Sequence, residues 1–131
     1  MRTRWNPTGS VLLVVVVLVA LLAATVMGHL QVNAEEIQLM QNHLRGAEAL
    51  CLAEAGLNDA LAQLRTDPTW TSGFTDKPFN NGTYTVTIED STITAVGTTS
   101  SGFMARMRAE VTVAYAGPPY IVRIEELRIN P

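Results

Sequence analysis

Side chains that could carry out chemistry are few and far apart in this sequence. Cys51 is the only cysteine, and the two histidines, His29 and His43, have no further histidine or cysteine beside them at the spacing of metal ligands. The serines of the C-terminal half lack a histidine in any nucleophile motif, and neither a phosphate-binding loop nor a calcium-loop spacing occurs. The sequence therefore predicts no catalytic residue, no metal site and no cofactor, and a protein that is not an enzyme.

The composition combines one apolar segment with a polar remainder. The 131 residues leave room for one domain, and charged residues make up 16% of them, against roughly 25% in an ordinary globular domain. No charged residue occurs between Arg4 and Glu35. The net charge of −3 lacks the excess of basic residues that nucleic-acid binding requires, so we expect no nucleic-acid partner. A single cysteine also excludes an intramolecular disulfide.

The apolar segment is long enough to cross a membrane as a helix. Residues 11–27 include one polar residue, Thr25, whose hydroxyl can bond back to a helical carbonyl. Extended to residues 10–30, the segment has 21 residues. At about 1.5 Å per residue it spans roughly the 30 Å of a hydrocarbon core. We predict a transmembrane helix over residues 10–30.

Charges on either side of the span set its predicted orientation. Arg2 and Arg4 precede it, and Glu35 and Glu36 follow it, so the positive-inside rule keeps the N-terminus in the cytoplasm and exports the rest. A cleaved secretory signal, an uncleaved signal anchor and a prepilin-type segment all fit this charge pattern. The apolar run is long for a cleaved signal, which is therefore the least favoured of the three.

An amphipathic helix is predicted to continue the span. Residues 30–64 contain no proline, and their apolar side chains recur every three or four positions in two stripes. The first stripe is Ile37, Met40, Leu44, Ala47 and Cys51, and the second is Leu50, Leu57, Leu61 and Leu64. Asp67-Pro68 ends the pattern, so residues 31–66 extend the transmembrane helix without a break. The apolar first half of such a helix needs cover from lipid or from other copies.

Residues 67–131 have the composition of a loop followed by a small β domain. Residues 66–82 are rich in Thr, Ser, Gly, Asn and Pro and are predicted to form the loop. Four strands are predicted after it, at residues 82–89, 92–98, 105–115 and 120–129. Tyr115 continues the inward-facing series of the third strand. The apolar phase of the last strand slips at Glu125-Glu126, which predicts a β-bulge.

The predicted strands need a partner for their apolar face. Four short antiparallel strands would be marginally stable alone. The amphipathic helix supplies the cover, because its Leu57, Leu61 and Leu64 also lack a partner. In the second strand the alternation leaves open whether the parity of Ile93 or that of Val96 faces inward. The predicted fold class is α+β, with a long N-terminal transmembrane-to-amphipathic helix packed on a small antiparallel β-sheet.

The order of these segments resembles that of the type IV filament superfamily. A short leader with basic residues ends in glycine, a charge-free apolar helix continues into an amphipathic helix, and a small β head follows. Four segments, at residues 9–13, 53–61, 82–87 and 95–98, are similar to segments of PilX-type minor pilins and type II secretion minor pseudopilins. The resemblance covers most of the chain in this order and implies a pilin-like fold.

The resemblance implies a processed filament subunit. A prepilin peptidase would cut after Gly9, which releases residues 1–9 as the leader, and would methylate the amino group of Ser10. The implied partners are other pilin or pseudopilin subunits, the inner membrane, the prepilin peptidase and the inner-membrane assembly platform. The subunit would begin as a single-pass inner-membrane protein with a periplasmic or extracellular head, and would then enter a filament.

Three residues depart from the pattern of the family. Thr8 precedes the cut in place of Lys or Arg, and Gln31 stands where many major pilins have proline. Val14 replaces the glutamate of major pilins, which is thought to meet the N-terminal amine of a neighbour in the membrane. The resemblance then implies a low-copy subunit that primes or caps the assembly of a type IV pilus or type II secretion-like filament. Gly28 is either a tolerated glycine or a helix hinge, and the resemblance favours the hinge.

A second hypothesis involves no polymerisation. The chain would be a single-pass, signal-anchored periplasmic protein whose head binds a ligand or an envelope partner. The N-terminus of the mature chain separates the two hypotheses, because pilin maturation leaves a methylated Ser10, whereas a plain anchor keeps Met1.

Overall fold

The computed structural model describes residues 7–130, which form one long helix followed by five strands. The helix α1 is Pro7–Thr66, and the strands are β1 (Phe74–Phe79), β2 (Gly82–Glu89), β3 (Thr92–Thr99), β4 (Met104–Ala114) and β5 (Ile121–Ile129). Residues 1–6, which are most of the predicted leader, lie outside the described residues. The described chain divides into two compact units, residues 7–41 and residues 42–130.

The described part of the first unit, residues 7–41, is helical throughout, and all of its side chains are exposed. Pro7 is the first helical residue, where its missing N–H costs nothing and its fixed φ suits a helix. The Thr25 hydroxyl donates a hydrogen bond to the Leu22 carbonyl at 2.8 Å, as predicted. Valine is a poor helix former in water, but in lipid the backbone has no other hydrogen-bond partner and helix is imposed. This helix is long and apolar enough to cross a membrane.

In the second unit, α1 packs on one face of an antiparallel sheet whose strand order is β1-β2-β3-β4-β5. Each strand pairs with the next along the chain, so the sheet is a meander. Two-residue turns at Asn80-Asn81 and Asp90-Ser91 join β1 to β2 and β2 to β3. Asn80 and Asp90 have positive φ angles of 50° and 53°, which Asn and Asp tolerate better than most residues. The predicted α+β class is confirmed.

The core of the second unit lies between α1 and the sheet. The buried apolar residues are Ala49, Leu52, Ala53, Leu57, Ala60, Leu61 and Leu64 of the helix and Tyr84, Val86, Ile93, Ala95, Ala105, Met107, Ala109 and Val111 of the sheet. In β3 it is the parity of Ile93 that faces the helix. A Cβ on Gly97 would lie 2.2 Å from the Ala49 carbonyl oxygen, so only glycine lets the helix backbone pass this close to β3.

The structure corrects the loop predicted over residues 66–82. That segment contains strand β1, which pairs with β2. The period-two pattern of β1 is hidden because its register shifts between Phe74 and Lys77, and Asp76 has a φ of 45°. Pro78 cannot donate to a ladder, which is acceptable because β1 is an edge strand. The sheet therefore has five strands and not four.

Strand β5 shows the predicted bulge. Glu110 pairs with Glu126 and Val111 pairs with Ile124, which leaves Glu125 as the extra residue. A bulge of one residue restores the phase of the alternation. The apolar side chains before and after Glu125 therefore lie on the same face of the sheet.

The end of β4 differs from the prediction. The strand stops at Ala114, and Tyr115 is exposed instead of facing the core. Residues 116–119 contain two prolines, which cannot donate to a ladder. The Tyr115 ring instead packs edge-on against Tyr120, with 6.4 Å between the ring centroids.

Candidate functional surfaces

The exposed apolar surface of residues 7–41 is the first candidate functional feature. Its valine, leucine, isoleucine and methionine side chains all face outward. Soluble monomers rarely expose contiguous apolar patches larger than a few hundred Å², and each methylene left in water costs about 0.8 kcal/mol. This surface therefore requires cover from lipid or from other apolar helices.

The predicted processing residues, Gly9 and Ser10, lie in the first turn of α1 and are exposed. The Ser10 hydroxyl donates a hydrogen bond to the Pro7 carbonyl at 3.2 Å. A protease binds its substrate peptide extended, so the cleavage that the family resemblance implies would require this turn to unwind. The first turn of a helix has N–H groups without intrahelical partners and unwinds more easily than the interior.

Val14 and Gly28, the other two positions singled out in the span, are also exposed in α1. The helix continues through Gly28 without interruption. A Cβ at Gly28 would meet no atom within 4 Å. Packing inside the described chain therefore does not explain why this position is glycine.

Leu57, Leu61 and Leu64 lie in the core of the second unit, in one apolar cluster with residues of β2, β3 and β4. They are the part of the second helical stripe that covers the sheet. Leu50, from the same stripe, is half-buried at the edge of this cluster.

A polar cluster fastens β1 and β2 to α1. The Tyr84 hydroxyl donates a hydrogen bond to Asp59 Oδ2 at 2.6 Å, and Lys77 Nζ forms a salt bridge with the same oxygen. Lys77 Nζ also lies 4.3 Å from the centre of the Phe74 ring, within the range of a cation–π contact. Asp59 is on α1, Lys77 on β1 and Tyr84 on β2, so one carboxylate joins three elements.

The electrostatics of this cluster favour the ion pair. Partial burial raises the pKa of the Asp59 carboxyl, but the hydrogen bonds from Lys77 and Tyr84 and the positive charge of Lys77 outweigh it, so the net pKa is lowered. The hydrogen bond to Asp59 raises the pKa of Lys77. Burial and the hydrogen bond to Asp59 raise the pKa of the Tyr84 phenol. All three groups thus keep their ordinary charge at neutral pH, which fits a structural role and not proton transfer.

Two grooves flank the packed part of the helix. One, of about 320 Å³, lies at the C-terminal end of α1 and is lined by Leu64, Trp70 and Val111 among others. The other, of about 300 Å³, lies between α1 and the β1–β2 turn, and its lining includes Leu44 and Phe79. Both are mostly apolar, so they suit the side chains of a protein partner better than a charged substrate.

Comparison with protein-family models, with curated proteins and with solved structures finds no match. Function has to be inferred from the surfaces of this chain. Among residues 7–130, no group of three or more His, Cys, Asp or Glu side chains is arranged to hold a metal ion. The surfaces described above offer apolar contact and hydrogen bonding to a partner.

Sequence reasoning missed the pairing of Asp59 with Lys77. Asp59 has the sequence signature of a solvated position between the two helical stripes, and Lys77 lies in the segment predicted to be a loop. Their separation of 18 residues matches no local motif. The pairing depends on β1 lying beside the helix, which only the packed structure shows.

Proposed function

We propose that this protein is a PilX-like minor pilin or pseudopilin, a low-copy structural subunit that primes or caps the assembly of a type IV pilus or type II secretion-like filament. The observation that carries the proposal is the fully exposed apolar surface of residues 7–41. Lipid would cover this surface in the inner membrane, with the N-terminus cytoplasmic. A bundle of helices from other pilin or pseudopilin subunits would cover it in a filament.

Transfer between these two environments sets the energetics of assembly. Leaving lipid removes apolar burial worth about 25 cal/mol per Å². The filament core must restore nearly all of it, because a helix of this kind cannot remain in water. The remaining work would come from an ATP-driven machine at the inner-membrane assembly platform.

The residue at position 14 supports a low copy number. A carboxylate inside a membrane is costly unless it is paired, so a glutamate there would need the N-terminal amine of a neighbour. Val14 removes both the cost and the recruiting interaction. A subunit that lacks this glutamate suits a position where no earlier subunit offers an N-terminal amine to pair with, such as the tip or a priming complex. A ratio near one between this chain and the major subunit in purified filaments would contradict this placement.

The decisive experiment is to identify the N-terminus of the chain in cells. Intact mass and N-terminal sequencing should find a chain that starts at Ser10 with one added methyl group. Gly9→Leu should block this processing, because the larger side chain does not fit a small-residue cleavage site. Thr8→Ala, one residue away, should be processed normally and is the matched control. A functional chain that keeps Met1 would overturn the proposal.

The alternative is a signal-anchored periplasmic binding protein that does not polymerise. It is favoured by the two mostly apolar grooves of about 320 and 300 Å³ in a unit with its own core. The same N-terminal measurement separates the two hypotheses, since a signal-anchored binding protein would keep its first nine residues and still function.

A further inference from the structure

The turn between β1 and β2 carries an acceptor motif for N-glycosylation. Asn81-Gly82-Thr83 has the pattern Asn-x-Ser/Thr, in which the middle residue is not proline. Asn6-Pro7-Thr8 has the same spacing, but its middle residue is proline and it precedes the apolar span. The pattern is short and common, so the structure around Asn81 decides whether it is an acceptor site.

The turn itself does not require asparagine at position 81. Asn80 has a positive φ of 50°, which explains an asparagine at the first turn position, whereas Asn81 does not have a positive φ. The glycine at position 82 is explained by packing, because a Cβ there would lie 2.4 Å from Leu52 Cδ1. The backbone therefore accounts for Asn80 and Gly82 and leaves Asn81 without a structural reason.

Asn81 is accessible to a modifying enzyme. Its side chain is exposed, and its carbonyl accepts a hydrogen bond from the Ser100 N–H at 3.1 Å, which uses only the main chain. Acceptor asparagines lie in surface loops of exported proteins, and the predicted orientation of the span exports the residues after it.

The hairpin that carries Asn81 can open locally. Strand β1 is at the edge of the sheet, and none of its residues is buried. Its register shifts between Phe74 and Lys77, and Pro78 donates no hydrogen bond to the ladder. Segments with few buried contacts open at a low free-energy cost. An enzyme can therefore bind the turn without disrupting the core between α1 and the sheet.

An exposed aromatic ring lies beside the acceptor. Phe79 comes two residues before Asn81 and is 51% exposed. Its partner across the hairpin is Gly82, which has no side chain to cover the ring. Phe79 and Asn81 both line the groove of about 300 Å³ between α1 and this turn. A group attached to the Asn81 amide nitrogen therefore begins next to the Phe79 ring.

A sugar suits this groove chemically. One face of a pyranose presents C–H groups with partial positive charge, which pack on the electron-rich face of an aromatic ring. The hydroxyl groups of the sugar need hydrogen-bond partners. The lining of the groove is mostly apolar and includes Leu44 and Phe79, and Glu48 and Asn80 add polar groups to it.

We propose that Asn81 is N-glycosylated and that the first sugar packs on the Phe79 ring in this groove. Asn81 Nδ2 forms a bond to the anomeric carbon of a lipid-linked oligosaccharide diphosphate, in a reaction catalysed by an oligosaccharyltransferase. The bond between that carbon and the phosphate oxygen breaks, the lipid diphosphate leaves with the electron pair, and one amide proton passes to a base of the transferase.

The proposal requires the predicted export of the second unit and is compatible with either function proposed above. Of the two grooves beside the helix, the glycan occupies the one at the β1–β2 turn. The groove at the C-terminal end of α1, which includes Trp70, then remains open to a protein partner.

Mass spectrometry of the full-length chain purified from its native membranes tests the attachment. The peptide that contains Asn81 should carry the mass of one or more sugar residues. Asn81→Asp and Thr83→Val should each remove this mass completely. Asn80→Asp makes the same chemical change one residue earlier, and Thr83→Ser keeps the hydroxyl of the motif, so both matched controls should retain the sugar.

Two results of this measurement would overturn the proposal. One is an unmodified Asn81 peptide, and the other is sugar that persists in Asn81→Asp. A mass change equal to the conversion of an amide into a carboxylate would show deamidation at Asn81-Gly82 in place of glycosylation. The N-terminal peptide reports processing at Ser10 separately, so failure of the glycan proposal and failure of the proposed function are distinguishable.

Thermal unfolding tests the packing on Phe79. The glycosylated chain should have a Tm about 4 °C above that of the same chain from cells that lack the transferase. In Phe79→Leu the sugar should still be attached, but this difference in Tm should fall by more than half. An equal difference in both chains, or no difference in the chain with Phe79, would show that the sugar does not pack on the ring.

Discussion

The Tyr84 hydroxyl donates a 2.6 Å hydrogen bond to the Asp59 carboxylate, and this contact joins the C-terminal part of α1 to β2. Tyr84 is buried, and its ring lies beneath Gly56, one helical turn before Ala60 in the core. Asp59 Oδ2 also pairs with Lys77, so the same oxygen holds the edge strand β1. The cluster therefore decides how the least regular strand of the sheet attaches to the helix.

Asp59→Ala should destabilise the second unit by about 1 kcal/mol, because it leaves the partly buried Tyr84 hydroxyl without its acceptor. Urea unfolding monitored by tyrosine and tryptophan fluorescence measures this change. Glu89→Ala, an exposed carboxylate at the end of β2, is the control and should change stability by less than about 0.5 kcal/mol. Equal effects of the two substitutions would show that the cluster is only a surface ion pair.

Acid should weaken the second unit through the same carboxylate. The pKa of Asp59 is lowered in the folded chain relative to its ordinary value of 3.8. Its contribution is therefore fully present above that value and is lost as the pH falls through the lowered, folded pKa. Asp67 and Glu126 also have lowered pKa values in the folded chain, so they add to the fall of the unfolding free energy with falling pH. The difference in unfolding free energy between the unmodified chain and Asp59→Asn gives the contribution of the Asp59 carboxylate. This difference should shrink as the pH falls from about 5 to 2.

Gly97→Ala should destabilise the second unit by about 2–3 kcal/mol or prevent its folding. The added Cβ would lie 2.2 Å from the Ala49 carbonyl oxygen and 2.4 Å from the Ala53 nitrogen, both backbone atoms that cannot rotate away. Gly46 is in α1, and a Cβ there would meet nothing within 4 Å, so Gly46→Ala should stabilise the helix by about 1 kcal/mol. Thermal unfolding followed by circular dichroism distinguishes the expected loss of stability in Gly97→Ala from the expected gain in Gly46→Ala. Unchanged stability of Gly97→Ala would mean that the helix lies farther from β3.

Gly28→Leu should leave the amount of protein in the membrane unchanged but should reduce filament assembly, if Gly28 is the hinge that the family resemblance favours over a tolerated glycine. The structure has room for the larger side chain, so a loss of protein is not expected. Quantitative blots of membranes and of sheared filaments measure the two quantities separately. Gly46→Leu is the matched helical control, and unchanged assembly in Gly28→Leu would rule out the hinge.

The regular elements could be predicted because their side chains repeat with the period of their own backbone. The alternation in β2 gives Tyr84 and Val86 a common inward face, and the phase slip at Glu125 reveals the bulge. Strand β1 has no such repeat, because Asp76 and Pro78 interrupt it and its place in the sheet comes from pairing with β2. Tyr115 continues the alternation of β4 in the sequence, but the chain turns away at the prolines after it.

The sequence by itself determined the apolar span, the amphipathic continuation and the α+β class, since each follows from local periodicity and from the absence of charge. The sequence also assigned Leu57 and Leu61 to the cover of the sheet, and they are buried there; the tertiary structure decided that Leu44 and Cys51 of the first stripe stay exposed. It also decided that Asp59 meets Lys77 and that Ile124, Leu127 and Ile129 of β5 stay exposed. These depend on the width of a helix relative to a sheet and on contacts between residues far apart in the chain, which no local pattern encodes.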